Sequence, residues 1–537
     1  MMIEQIKNQL QKAIKEKIGI EVFASEKENF GHYSTNMAFK FTPTNKASSG
    51  MAGKTPFEIA KEIASKLSSP PTSSKSIFAK IEAVSPGFVN FWLKPEILQN
   101  ELKAILKQKN KYGSLKHQTP NTKHRTINLE FVSANPTGPL TMANGRAGFY
   151  GDVLANVLEN SGHKVTREYY INDAGNQIKL LGESILAAEG KIPWKDEYYK
   201  GEYVKDLVKS LKLKVKNYDG EKIGKEAAKI LFKEIKKSLK NAGIKHDIWF
   251  SEDKNLHKKG ELKKTLKFLK GKKVVYEKDG AMWLKDAVLI KSDGNPTYFL
   301  ADLAYHYDKF LKRKFDLAID IWGADHHGYK ARMESGIRAL GVKPKRLKIL
   351  ITQLVRLISK GKEVKMSKRA GEFVTLDDLL KEVGLDAARF FFLMHSLDTH
   401  MDFDMDLAKE RSQKNPVYYV QYAFVRCLHI LRKATSDKRQ ATNNNLKMLN
   451  SITEIKLMLE LMKFPDVLAQ TVKDYQVHRL TEYAARLARS FHNFYEKERV
   501  IDAEPETAQA RLALVSATKI ALENLFSILG ISKPKKM

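Results

Sequence analysis

RTINLEFVSANPTGPLTMANGRAGFYGD, residues Arg125 to Asp152, reads as a strand, a tight loop and the start of a helix. Thr126 to Val132 alternates polar and apolar residues as a buried strand does. The loop that follows is rich in Pro, Gly, Asn and Thr, and from Arg146 onward Phe149, Val153, Leu154, Val157 and Leu158 recur on one helical side. A helix N-terminus carries unpaired N–H groups and a partial positive charge, so such a junction suits a phosphate or a carboxylate. Gly145, Gly148 and Gly151 are expected to let a ligand approach the backbone closely. Taken alone, the same junction describes any plain crossover in an α/β domain.

The remainder of the chain bounds the reading. Its 537 residues exceed a single core, so two to four domains are expected. The sequence shows no apolar run of membrane-spanning length, and the charged, amphipathic start MMIEQIKNQLQKAIKEKIGI argues against a secretory leader. The single cysteine, Cys427, excludes internal disulfides and a Cys-rich zinc site and fits a reducing cytoplasm. Lys and Arg total 93 against 62 Asp and Glu, a net charge of +31, which favours a polyanionic partner, nucleic acid above all.

Residues 1–95 have the pattern of a small α+β domain, with strands in GHYSTNMAFK and IEAVSPGFVNFWL and a turn at Pro86–Gly87. Residues 96–123 are expected to be a linker, since the polar run from Lys107 to Lys123 lacks apolar periodicity. Residues 124–400 read as an α/β domain interrupted at about 190–270 by a Lys-rich surface insertion. Residues 401–537, helical from about Phe403, read as a bundle. Polar residues gather after a second strand (Asn172, Asp173, Asn176, Gln177) and after DLAIDIW (Asp325, His326, His327), where ligands collect in parallel sheets. A metal is not expected at the latter, because adjacent side chains rarely face one ion and no third ligand is spaced to join them. Lys365, Met366, Ser367, Lys368 and Arg369 form a Gly-flanked basic loop before a helix capped near Thr375. Lysines one and four of such a loop can neutralise charge developing on a leaving pyrophosphate.

With these motifs in this order the chain resembles the class I aminoacyl-tRNA synthetases, and among them the arginyl-tRNA synthetases, over nearly its full length. The resemblance rests on GHYSTNMA, SPGFVNF, EFVSANPTGPL, REYYINDAGNQI, DGAMWL, PTYFLADLAYH, WGADHHGYKAR, KMSKRAGEFVTLDDLL, GLDAARFFFL, FDMDLAKERSQKNPVYYVQYAFVR and the ending LGISKPKKM. It implies a multidomain protein with a Rossmann-like parallel-sheet catalytic core, a small α+β N-terminal tRNA-binding domain and an all-α anticodon-binding bundle. It implies ATP-dependent attachment of arginine to its tRNA through an arginyl-adenylate, with ATP carrying Mg²⁺. A cytoplasmic monomer without membrane attachment is expected.

Residue by residue, the resemblance implies an arginine pocket at Glu130, Ser133, Asn135, Tyr298 and Asp302. It implies ATP contacts at Pro139, Thr141, Asn144, Gly145, Gly323, Asp325, His326 and Val355 and along Lys365, Met366, Ser367 and Lys368. Catalytic roles fall to Thr141, Asn144, Lys365 and Lys368, and no metal ligand is implied. Tyr33, Asn36 and Phe88 in the first domain are the implied tRNA contacts, and Tyr418, Tyr422 and Tyr495 at bundle edges are suited to stacking on unpaired bases.

The chain departs from the class at one place. Where class I enzymes carry a histidine, an aliphatic, a glycine and a second histidine, it reads Thr141-Met142-Ala143-Asn144. A hydroxyl and an amide still donate hydrogen bonds but carry no imidazolium charge. Losing one charged hydrogen bond, roughly 1.5–3 kcal/mol, would slow the step about tenfold to a hundredfold. The alternative reading is a catalytically silent, synthetase-derived RNA-binding or regulatory protein.

Overall fold

The computed structural model of this chain describes all residues except 15–18, 26–29, 42–52, 69–75, 117–123, 212–218, 365–373, 438–440 and 442–444. In α1 (Met2–Ile14), Met2, Ile6, Leu10 and Ile14 recur every fourth residue and are buried. β1 (Phe23–Ala24), β2 (Tyr33–Thr35), α2 (Pro56–Ser68), β3 (Phe78–Val84) and β4 (Phe88–Leu93) follow, and the strands form an antiparallel sheet in the order β1-β2-β4-β3. The turn expected at Pro86–Gly87 joins β3 to β4, with Gly87 N donating to Val84 O at 3.0 Å.

The expected linker is largely structured. α3 (Pro95–Gln108) opens on a proline and buries Leu98, Leu102 and Ile105 at helical spacing. Beyond it Tyr112 is buried, its hydroxyl donating to Leu461 O at 2.8 Å. The lysines that make this stretch look solvated line its outer face, and two or three apolar residues per helix suffice to dock it at about 1.5–3 kcal/mol each.

The central body contains β5 (Thr126–Glu130), α4 (Met142–Asn160), β6 (Lys164–Ile171), α5 (Asn176–Ala188), α6 (Glu202–Leu211), α7 (Gly220–Asn241) and β7 (Ile248–Ser251). α8 (Glu261–Gly271), a hairpin sheet of β8 (Tyr276–Lys278), β9 (Ala281–Leu284) and β10 (Ala287–Ile290), then α9 (Tyr298–Tyr307), β11 (Leu317–Gly323), α10 (Lys330–Ala339) and β12 (Leu347–Thr352) complete it. Five strands form a parallel sheet in the order β12-β11-β5-β6-β7. Chain order runs outward from β5 to β7 on one side and from β11 to β12 on the other, so a crevice opens at the carboxyl ends of β5 and β11.

Two expectations change here. The Lys-rich segment is not a surface insertion throughout: β7 is an edge strand of the parallel sheet, and α7 buries Ile223, Ala227, Leu231, Ile235 and Leu239, a stripe every fourth residue, with its lysines facing out. The glycines of α4 serve packing rather than ligand approach. A Cβ at Gly151 would lie 2.3 Å from Phe131 Cγ, and one at Gly145 would lie 2.7 Å from Leu376 Cδ1, so their absence lets α4 settle on its neighbours.

After β12 come β13 (Val355–Ser359), β14 (Lys362–Glu363), α11 (Leu376–Val383), α12 (Leu385–Leu393), β15 (Met401–Asp404) and α13 (Met405–Lys409). β15 pairs in parallel with β13, so the segment expected to be helical from about Phe403 begins as a strand with Met401 and Phe403 inward. The bundle consists of α14 (Pro416–Ser436), α15 (Ile452–Met462), α16 (Phe464–Asp474), α17 (His478–Lys497) and α18 (Pro505–Leu529). By length and composition α18 could cross a membrane, contrary to the sequence reading, but it is mostly buried within the protein.

Candidate active site

β5 runs into a loop in which Val132 and Ser133 hold left-handed backbones, φ +70° and +38°. Such values are strained for residues with a Cβ, most of all for a β-branched one. The bend aims Ser133 Oγ at Glu130 Oε1, 3.0 Å away, and the same hydroxyl accepts from Tyr170 N at 3.0 Å. Asn135 donates to Gln177 Oε1 at 2.5 Å, tying the loop to the start of α5.

Beneath this loop lies a buried charge relay. Lys309 Nζ, fully buried, sits 2.8 Å from Glu130 Oε2 and 2.8 Å from Asp320 Oδ1. Asp320 Oδ2 is 2.9 Å from His306 Nε2, whose other ring nitrogen is 2.8 Å from Asp302 O. Burial raises Asp320, but the Lys309 ammonium and His306 outweigh it and hold the carboxyl down at about 2. Glu130 moves the other way, raised by burial against the pull of Lys309. Both oxygens of Glu130 are therefore engaged from within the protein, one by Ser133 and one by Lys309.

Above the relay is a cavity of about 220 Å³. Glu130, Ser133, Asn135, Tyr298 and Asp302, drawn from two separate segments, all line it, and so does His326 from a third. Asp302 is raised by burial to about 6 despite accepting from Tyr329 Oη at 2.6 Å. Tyr298, 64% exposed, stands at the mouth. The cavity also holds Asn172, from the polar cluster after β6, and four residues absent from the sequence-derived set: Tyr170, Glu252, Trp322 and Tyr329. Glu252 is buried, with Oε1 3.0 Å from His257 Nε2 and Oε2 3.1 Å from the Asn172 amide when that amide is turned to donate. Asn172 was signalled by its polar cluster at the end of β6, but Glu252 had only its place just after the short apolar run of β7 to mark it. A planar guanidinium with five donors matches a narrow cavity holding three carboxylates, Glu130, Glu252 and Asp302, and a tyrosine mouth.

At the start of α4, Thr141 is the N-cap, and Asn144 Oδ1 accepts from Thr141 N at 2.9 Å and Thr141 Oγ1 at 3.0 Å. The two departures from the histidine signature thus cap the helix together, leaving the Asn144 amide N–H groups directed away from Thr141. Lys365, Met366, Ser367 and Lys368 lie outside the described residues, but the chain that follows them is placed: Met142 N donates to Val374 O at 3.2 Å and Leu376 N to Leu140 O at 2.9 Å. Pro139 is half-buried beside this segment, Gly323 ends β11, Asp325 and His326 are exposed after it, and the Val355 side chain faces the core. Gly145 is filled against by Leu376, as described above.

Of the expected RNA contacts, Tyr33 is 1% exposed and packs inside the first domain, so it offers RNA no surface. Asn36 is half-buried, and Phe88 joins Phe39 and Phe23, both partly exposed, in edge-to-face contacts at 5.4 and 6.4 Å. Tyr418 stacks on Tyr422 at 6.4 Å and 6°, and Arg426, missed in the sequence, lies over Tyr422 and Tyr495 at 5.0 and 4.9 Å, gathering all three tyrosines into one cluster.

Three family models match in order: the arginyl tRNA synthetase N terminal domain over residues 1–93, the class I (R) tRNA synthetase catalytic domain over 101–394 and the DALR anticodon binding domain over 420–537. An arginine–tRNA ligase of Thermotoga petrophila is 41% identical over 559 residues, covering 99% of both chains. That of Carboxydothermus hydrogenoformans is 40% identical over 546 residues, 97% of this chain and 95% of the relative. Among solved structures, a putative arginyl-tRNA synthetase from Campylobacter jejuni is 33% identical with a TM-score of 0.74, covering 83% of this chain and all, 100%, of its own. The arginyl-tRNA synthetase of Thermus thermophilus, 20% identical, shares the fold over 100% of both chains with a TM-score of 0.79.

Proposed function

The chain belongs to the arginyl-tRNA synthetase family, and from that premise we propose that the cavity over Lys309 seats arginine while Thr141, Asn144, Lys365 and Lys368 act on ATP. It attaches arginine to tRNA in an ATP-dependent reaction. The observation that carries the site assignment is the convergence of Glu130, Ser133, Asn135, Tyr298 and Asp302 on one small cavity at the sheet's switch point.

In this reading Asp302 and Glu252 take the guanidinium, and Ser133, Asn135 and Glu130 lie toward the α-amino end. The arginine carboxylate forms a bond to the α-phosphorus of ATP and the bond to pyrophosphate breaks. A hydroxyl of the terminal tRNA adenosine then attacks the arginyl carbonyl and AMP departs. No side chain becomes covalently attached, so alignment and charge stabilisation lower the barrier. The Asn144 amide and the N–H groups opening α4 supply donors for phosphate, and the Thr141 hydroxyl adds one when it turns from Asn144 Oδ1 to ATP. Lys365 and Lys368 supply the charge that the missing imidazoles would have shared. Mg²⁺, when bound, draws charge from the phosphates. An ion arriving with the triphosphate would take one or two carboxylates, and Asp325, exposed after β11, would be a carboxylate to hold it. The reading includes a cytoplasmic monomer, with the single cysteine, Cys427, buried and free.

Attachment of radiolabelled arginine to its tRNA with ATP and Mg²⁺, compared with Asp302→Ala, tests the assignment. The arginine KM should rise about a hundredfold with the ATP KM little changed, the loss of roughly 3 kcal/mol expected for a charged hydrogen-bonding partner. An unchanged arginine KM removes the pocket assignment.

A further inference from the structure

Next to the small cavity over Lys309 lies a larger one, of about 720 Å³, bordered by α8, β9, β10 and the start of α9. Glu252, Tyr298, Ala301 and Tyr329 line both spaces, so a single layer of side chains separates them. The layer is thin at Ala301, which contributes only a methyl group, and Tyr298 is 64% exposed. Glu252 is held from both sides of it. His257, which lines the larger cavity, sits with Nε2 3.0 Å from Oε1, and Asn172, which lines the smaller, reaches Oε2 at 3.1 Å when its amide is turned to donate.

The larger cavity has a different character. Leu262 and Phe299 are buried against it, and Trp283 and Val288, cross-strand partners in β9 and β10, turn the same face of the hairpin toward it. Its charged lining carries both signs, Glu252 and Asp286 against Lys291 and Arg332. Such a lining selects no net charge and favours an apolar or aromatic group. The attachment of arginine leaves this space unused.

We propose that the larger cavity is a subsite for the Nω substituent of an alkylated guanidine, so that the amino-acid site takes Nω-alkyl and Nω-arylmethyl arginines as ligands. The proposal rests on the seating of the guanidinium between Asp302 and Glu252. With the α-amino end toward Ser133 and Asn135, the outer guanidinium nitrogens face the shared layer. A substituent on one of them passes beside Ala301 into the larger cavity. Such a substitution removes a single N–H donor and keeps the positive charge, so both carboxylates retain partners. An aromatic ring on the substituent gains burial against Leu262, Trp283 and Phe299.

Competition against radiolabelled arginine in tRNA attachment, with the full-length protein, ATP and Mg²⁺, tests this. Two probes are compared: Nω-methyl-L-arginine, whose substituent ends at the shared layer, and Nω-benzyl-L-arginine, whose ring reaches past it. Both should compete with arginine, and the benzyl compound should have an inhibition constant about tenfold below that of the methyl compound. Val288→Trp fills the larger cavity and should bring the two constants within about twofold of each other, with the arginine KM unchanged. Trp283→Ala opens the cavity without crowding it and should shrink the benzyl advantage to about threefold. A benzyl compound no tighter than the methyl compound, or one whose advantage survives both substitutions, overturns the subsite. So does inhibition that excess arginine does not relieve, which would place the ring elsewhere. An Asp302→Ala variant with an unchanged arginine KM would sink the seating of arginine itself, whereas a raised KM in that variant with no benzyl preference in the parent would remove the subsite alone.

Discussion

Thr141 and Thr375 pair as an isolated antiparallel bridge, joining the N-cap of α4 to the N-cap of α11. The chain segment leaving the lysine loop is thereby pinned beside the residues that replace the histidine signature. Thr141→Val keeps the branched shape and the backbone bridge but removes the hydroxyl. It should lower kcat about tenfold with the arginine KM unchanged, and reduce stability by about 1 kcal/mol through loss of the cap. Steady-state kinetics and thermal unfolding together check this. A rise in the arginine KM without change in kcat would place Thr141 with the amino acid instead.

Asp302 holds its function at a cost in stability. Its folded-state pKa of about 6 stands above the ordinary 3.8, so the native state binds more protons than the unfolded chain between those values. Its contribution therefore becomes more destabilising as pH rises through that window and levels off above it. Asp302→Asn should stabilise the protein by up to about 3 kcal/mol at pH 7.5 and by progressively less toward pH 4 while abolishing useful arginine affinity. Urea unfolding at several pH values reads the difference, and a variant less stable than the parent at pH 7.5 would contradict it.

The same group sets the acid limb of substrate use. A guanidinium binds the ionised carboxylate, so the arginine KM should fall as pH rises through about 6 and then become flat. An arginine KM independent of pH from 5 to 7 would show that Asp302 does not meet the substrate.

Lys309 neutralises two buried carboxylates. Lys309→Met leaves Glu130 and Asp320 without their shared cation and should destabilise the protein by about 3–5 kcal/mol. Adding Asp320→Asn should restore part of that loss in a double-mutant cycle. Additive effects would mean the relay is not coupled.

Arg426→Ala removes the cation between Tyr422 and Tyr495 and should raise the tRNA KM about tenfold with little change for arginine. Equal changes in both constants would point to bundle misfolding, which far-UV circular dichroism would register.

Much of this arrangement was legible from residue order. The strand–loop–helix at Thr126 and the i, i+4 pair Tyr298 and Asp302 anticipate where the cavity forms. Elements dominated by lysine are hard to recognise in sequence, because their buried stripes are narrow: Ile223, Ala227 and Leu231 of α7 and Leu98, Leu102 and Ile105 of α3 are outnumbered by exposed charges. The four residues of β15 carry the alternation of a strand, too short to stand out before a bundle. Glu252, Lys309 and Arg426 each also meet a partner distant in sequence, Asn172, Glu130 and Tyr495 in turn, and no local pattern reveals such pairs.

The central claim is that a capped threonine and asparagine, with the lysine loop, suffice where two histidines are usual. Arginine attachment should be measured for the unmodified protein beside Asn144→Ala and Lys368→Ala, at saturating tRNA. The account predicts charging by the unmodified protein, a fall in kcat of about tenfold to a hundredfold in each variant, and an arginine KM that hardly moves. Charging by the unmodified protein that neither substitution slows would contradict it.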